Sequence, residues 1–131
     1  MSKKSIHKAI DRLNALYPLA KDFREQLMCL YQHKQDSQLD VILPYLNRLV
    51  VGKVYWENWP KEMQLDSRYH ELLDCFTELK NIRNHIIHDG EPQALNYEDY
   101  MRSLSALYKY GDELPELIMY AKNKLTKLDT K

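Results

Sequence analysis

Residues 67–90 read SRYHELLDCFTELKNIRNHIIHDG. Apolar residues recur there at Leu72, Phe76, Leu79, Ile82 and Ile86, three or four apart, with Leu73 and Ile87 beside them. That spacing follows the period of an α-helix and not the alternation of a strand. Ser67 offers a hydroxyl to cap the first turn, and His70 and Glu71 lie within it. Asp89-Gly90 predicts the stop, because glycine accepts the left-handed conformation that closes many helices. The stretch is therefore expected to be one helix from Ser67 to the Asp89-Gly90 pair, with one apolar face.

Helical spacing extends in both directions. Downstream, Asn96 is a good cap, with Glu98 and Asp99 in the first turn, where negative charge suits the helix dipole. Met101, Leu104, Leu107, Leu114, Ile118 and Leu125 form its stripe; Gly111 and Pro115 predict a kink or break, and residues 122–131 a frayed tail. Upstream, a first helix capped by Ser2 or Ser5 carries Ile6, Ile10, Leu13 and Leu16, and Pro18 predicts an interruption. A second stripe follows at Phe23, Leu27, Leu30 and Tyr31. Residues 39–52, LDVILPYLNRLVVG, read as a kinked helix or two short pieces around Pro44, closed by Gly52. Residues 53–68 hold both tryptophans and no clear period, so a loop with a short helix is expected. The fold expected is all-α, a single domain over residues 1–131 built as a bundle of four to five helices.

Composition narrows the function classes. The 131 residues carry 19 Lys+Arg against 19 Asp+Glu, so no global basic field exists to hold a nucleic-acid backbone. Nucleic-acid chemistry would need a local patch or charge doubled by symmetry. Hydrophobic residues reach 44%, which argues against disorder. No run approaches 18 apolar residues, and MSKKSIHKAI lacks the apolar segment of a signal peptide, so a cytoplasmic chain without a membrane partner is expected. Cys29 and Cys75 read as reduced core thiols. The ten tyrosines suggest half-wet surfaces such as grooves or interfaces.

The chemistry-bearing segment is the end of the quoted helix: Arg83, Asn84, His85, His88 and Asp89. With Arg83 at 0° on a helical wheel of roughly 100° per residue, Asn84 falls near 100° and His88 near 140°, one polar arc with His85 at its edge. Lys80 lies one turn earlier. Arginine offers planar, permanently charged donors to phosphate oxygens, and histidine moves protons near neutral pH. The same residues also suit a solvated or ion-paired arginine and a capping histidine. A metal reading also stands: His85-x-x-His88 with Asp89 holds ligand types, and His88-Asp89 resembles the doublet of HD-type phosphohydrolases, whose further His and Asp no spacing singles out here. Tyr55, Trp56 and Trp59 could pack over the bundle or stack on bases. Lys3, Lys4, Lys8 and Arg12 form a local basic cluster, a solvated face or an RNA guide.

Arg83-Asn84-His85-Ile86-Ile87-His88 resembles the R-x(4–6)-H motif of HEPN domains, small all-α bundles that carry it at the end of a long helix. The resemblance implies a metal-independent RNA endonuclease with no cofactor. Two domains would pair across a dyad, and RNA would enter between them. The 2′-hydroxyl would attack the adjacent phosphate and leave a 2′,3′-cyclic phosphate. His88 would be the general acid/base, Arg83 would bind the scissile phosphate, and Asn84 would orient His88 or a phosphate oxygen; His85 and Lys80 would assist RNA binding. A toxin or phage-defence effector is the implied setting, with an antitoxin or regulatory protein as possible partner. Many toxin members carry Tyr two residues after the motif histidine; here that position is Gly90, followed by the acidic residues Glu91, Glu98 and Asp99. The alternative is a non-catalytic helical adaptor that uses the same surface to bind a partner.

Overall fold

A computed structural model describes residues 3–33, 39–50, 60–88, 91–92 and 94–130. Among them are five helices, α1 (Lys3–His33), α2 (Leu39–Val50), α3 (Lys61–Gln64), α4 (Ser67–Ile86) and α5 (Tyr97–Asp129), and two strands of two residues, β1 (Ile87–His88) and β2 (Glu91–Pro92). The fold is an all-α bundle. α1 packs on α5 and α2, and α4 packs on the same two helices, so the four long helices close around one core.

The α1–α5 pair forms the spine. Ile6, Ala9, Leu13, Leu16, Ala20, Phe23, Leu27 and Leu30 are all buried, with intervals that alternate strictly between three and four residues. Tyr100, Leu104, Leu107, Gly111, Leu114, Ile118, Ala121 and Leu125 do the same on α5. A repeat averaging 3.5 residues keeps one seam facing a partner helix, as in coiled coils. The two helices run antiparallel. His7 near the start of α1 meets Asp129 at the end of α5 at 2.9 Å, and Arg24 Nη1 donates to both Glu116 carboxylate oxygens at 2.8 and 3.0 Å. Gly111 lets the axes come close: a Cβ there would lie 2.6 Å from Leu27 Cδ1 and 3.1 Å from Phe23 Cε2.

Of the kinks or breaks expected at the prolines, the breaks are absent. Pro18, Pro44 and Pro115 all lie inside single helices. Each removes one backbone hydrogen bond, but the apolar seams run past them, and packing outweighs the local loss. Pro18 and Pro44 are exposed, so both rings lie on the outer sides of their helices. The tail expected to fray is helical through Asp129, because Leu125 is fully buried and Lys124 is bonded to Asp66. α4 is capped by Asp66 in place of Ser67: Asp66 Oδ1 accepts from the backbone N–H groups of Arg68 and Tyr69 at 2.8 and 3.1 Å. Its other oxygen accepts from Tyr120 Oη at 2.6 Å and from Lys124 Nζ, so one carboxylate ties the start of α4 to the end of α5. The cap at Asn96 is as expected, with its Oδ1 accepting from Asp99 N–H at 2.8 Å. Cys75 is buried as anticipated, but Cys29 is exposed, because it falls between the seam positions Leu27 and Leu30. Gly52, Tyr55, Trp56 and Trp59 lie outside the described residues.

Candidate functional site

The helix that carries the motif stops earlier than its sequence suggests. α4 ends at Ile86, and Ile87 adopts an extended conformation (φ −113°, ψ 123°) while its N–H still reaches the Arg83 carbonyl. The β-branched pair Ile86-Ile87 explains the exit. Both side chains are buried, and the extended backbone aims Ile87 into the core, where a further helical step would rotate it away by about 100°. Ile87 and His88 then pair antiparallel with Pro92 and Glu91. His88 therefore lies beyond the helix on a short ladder. The single polar arc read from a helical wheel does not include it, and Asn84 and His88 are not successive-turn neighbours.

Arg83 is half-buried for a reason that the heptad register supplies. Tyr69, Leu72, Phe76, Leu79, position 83 and Ile86 continue the alternation of three and four on α4, so Arg83 occupies a slot that faces inward. An arginine there needs partners. Its Nε donates to Asn47 Oδ1 on α2 at 2.8 Å, and its Nη1 donates to Asn84 Oδ1 at 3.1 Å. Neither bond uses Nη2. Asn84 thus contacts the guanidinium of Arg83, and the one-turn neighbourhood expected between Asn84 and His88 is not formed. Asn84, His85, His88 and Lys80 are exposed. The cross-strand neighbour of His88 is Glu91, and directly paired residues project from the same face of a ladder.

Asn47 and its neighbour Arg48 were not singled out by the sequence reading. The available signal was a polar pair inside the otherwise apolar LDVILPYLNRLV of α2. Both line an open pocket of about 370 Å³ between α1 and α2, with Arg12, Ala15, Leu16 and Leu19 on the opposite wall. Arg12, read at first as part of an N-terminal basic cluster, is half-buried in this wall, whereas Lys8 is exposed. Asn47 belongs to both features: it holds Arg83 and lines the pocket.

For the metal reading, no group of three His, Cys, Asp or Glu side chains converges among the described residues; Asp89 lies outside them. No described helix is long and apolar enough to cross a membrane. The chain matches no protein-family model, no curated protein and no solved structure.

Proposed function

We propose that the chain is a metal-independent RNA endonuclease of the HEPN kind, acting as a homodimer, in the setting of a toxin or phage-defence effector. The observation that carries this reading is Arg83. A permanently charged guanidinium occupies an inward-facing slot, is clamped by Asn47 and Asn84, and lies five residues before an exposed histidine just past the helix end. Charged groups held against the binary pattern of their own helix are expected at functional sites.

In this reading Arg83, fixed through Nε and Nη1, directs Nη2 at a non-bridging oxygen of the scissile phosphate and stabilises charge as it builds in the transition state. A ribose 2′-oxygen attacks the adjacent phosphorus and its proton passes to one imidazole. The bond from phosphorus to the 5′-oxygen breaks, and that oxygen takes a proton from a second imidazole. The products are a 2′,3′-cyclic phosphate and a 5′-hydroxyl. Two copies of His88, one from each protomer at a dyad, supply the base and the acid. Glu91, paired with His88 across the ladder, is the carboxylate that orients its imidazole in this reading, and Asn84 holds Arg83 or a phosphate oxygen. His85 and Lys80 add positive or hydrogen-bonding surface for the strand.

Purified protein is incubated with mixed tRNA and mRNA in EDTA. Cleavage that survives chelation and falls at least a hundredfold in both His88→Ala and Arg83→Ala is the expected result. Cleavage that requires a divalent metal, or that persists in both variants, overturns the proposal. Stoichiometric capture of one partner protein by a chain with no nuclease activity would favour the adaptor reading instead.

A further inference from the structure

The way Arg83 is held leaves its charge unspent. Its two partners are amides, not carboxylates: Nε donates to Asn47 Oδ1 at 2.8 Å and Nη1 to Asn84 Oδ1 at 3.1 Å. Arg24, half-buried on α1, makes the contrast, since it donates to both oxygens of the Glu116 carboxylate and to the Asp112 carbonyl. The Arg24–Glu116 pair is neutral overall, whereas the Arg83 cluster keeps a full positive charge. Residues 41–50 and 80–88 contain no Asp or Glu, and among the described residues no carboxylate pairs with Arg83. A guanidinium only donates, so each amide must face it with the carbonyl oxygen and turn its NH2 elsewhere. Among the described residues neither NH2 group has a hydrogen-bond partner, and neither does Arg83 Nη2. Asn84 is exposed, and Arg83 Nη2 and Asn47 Nδ2 both reach solvent. Three donor groups thus surround one uncompensated cation, and Arg83 already occupies the carbonyl oxygens beside them.

We infer that Asn47 is a substrate-binding residue: its NH2, with Arg83 Nη2 and the NH2 of Asn84, forms a donor-only seat for the oxygens of a phosphate, and the neutral amides are what keep that seat positive. The inference rests on the endonuclease reading for its ligand, the phosphodiester of RNA. It adds a contact from α2, 36 residues before Arg83 and outside the motif. Covalent geometry sets each NH2 beside the carbonyl oxygen that Arg83 grips, so both lie within a few ångströms of the guanidinium. The donors come from two helices, α2 and α4, whose packing fixes their spacing before a ligand arrives, as preorganised stabilisation of an oxyanion requires. An aspartate at position 47 would hold Arg83 Nε at least as well, but it would cancel the charge and remove two donors. A clamp that served structure alone would accept Asp there; a phosphate seat would not.

The test is NMR of the side-chain amides and the Arg83 Nε–H in the full chain. Inorganic phosphate and a 2′-deoxy oligonucleotide, which lacks the attacking oxygen, are titrated separately. In wild type both ligands are expected to shift the NH2 signals of Asn47 and Asn84 together with Arg83 Nε–H, a result that needs no variant. Asn47→Asp should retain the bonded Nε–H signal and a Tm within a few degrees of wild type, yet weaken both ligands by roughly tenfold or more. Asn123→Asp makes the same charge change at an exposed position of α5, beside the start of α4 and about 25 Å along that helix from Arg83, and should alter affinity by less than about twofold. Asn47→Asp binding both ligands as wild type does, or wild-type shifts at Arg83 that leave the Asn47 NH2 unmoved, would reduce Asn47 to a clamp and overturn the inference. Failure of wild type to bind either ligand overturns it too. Binding of phosphate without the oligonucleotide assigns the seat to a free phosphate ion and overturns the RNA contact. Chelation-resistant cleavage by the same preparations separates the two readings. Cleavage undiminished in Asn47→Asp removes this inference and leaves the endonuclease reading intact. Oligonucleotide binding that Asn47→Asp abolishes, with no cleavage by wild type, removes the endonuclease reading and leaves the seat.

Discussion

Replacing Asp66 by alanine should destabilise the bundle by about 2–4 kcal/mol. The side chain caps α4 through the N–H groups of Arg68 and Tyr69, and loss of such a cap costs about 1 kcal/mol. The same carboxylate accepts from Tyr120 and Lys124 on α5, and charge-assisted bonds of this kind contribute about 1.5–3 kcal/mol. The Lys124 side chain is 30% exposed against 9% for Asp66, which places its share at the lower end. At about 4 °C per kcal/mol for a domain of this size, Tm should fall by roughly 8–16 °C. Asp66→Asn can keep the cap through Oδ1 but sets an NH2 donor opposite Lys124 Nζ, so it loses the charge-assisted bond and should cost about 1.5–3 kcal/mol. Burial alone would raise the Asp66 carboxyl, but Lys124, Tyr120 and the two backbone amides outweigh it and hold the group well below its ordinary value of 3.8. A carboxylate lowered in the folded state stabilises fully above the unfolded value and loses that contribution as pH falls beneath it. The gap in unfolding free energy between wild type and Asp66→Asn, measured by urea titration, should therefore be constant from pH 7 to 5 and shrink below about pH 4. A gap independent of pH down to pH 2.5, or an Asp66→Ala variant within 0.5 kcal/mol of wild type, would refute the reasoning.

Further outcomes are expected. Gly111→Val should cost about 1–3 kcal/mol despite the better helix propensity of valine, because its Cβ meets Leu27 and Phe23 across the α1–α5 seam; chemical denaturation reads this directly. A thiol reagent at neutral pH should modify Cys29 quickly and Cys75 only on unfolding, since burial pushes the Cys75 thiol up to about 11; two equally fast thiols would contradict its placement. Asn47→Ala removes the acceptor for Arg83 Nε and should lower cleavage by about 10- to 100-fold with Tm changed by only a few degrees, whereas Asn47→Asp should retain the clamp.

The bundle was legible in the amino-acid sequence because the apolar residues of every long helix follow a helical interval and the Asn96 cap is local. At the prolines the sequence left open a kink within one helix or a break between two, because a proline rule is local and the seam that keeps each helix whole is visible only when α1 is aligned with α5. Cys29 shows the same limit: thiols are commonly buried, but its register on α1 points it outward. At the candidate site, Arg83 and His88 stand out in the sequence by residue type and spacing. Their arrangement does not, because a helical wheel presumes that the helix continues, and Ile86-Ile87 ends it. The partnership of Arg83 with Asn47 joins positions 36 residues apart and leaves no mark in local periodicity. Asp66 in place of Ser67 as cap is a choice between two adjacent good capping residues, decided by Tyr120 and Lys124 on a distant helix.

The chemistry proposed for Arg83 and His88 predicts particular ends on the RNA fragments, and end-group analysis of products formed in EDTA tests it most directly. Fragments that carry 2′,3′-cyclic phosphate and 5′-hydroxyl termini, and a 2′-deoxy substrate that resists cleavage, are the predicted result. Fragments with 3′-hydroxyl and 5′-phosphate termini, or equal cleavage of the 2′-deoxy strand, would contradict the account.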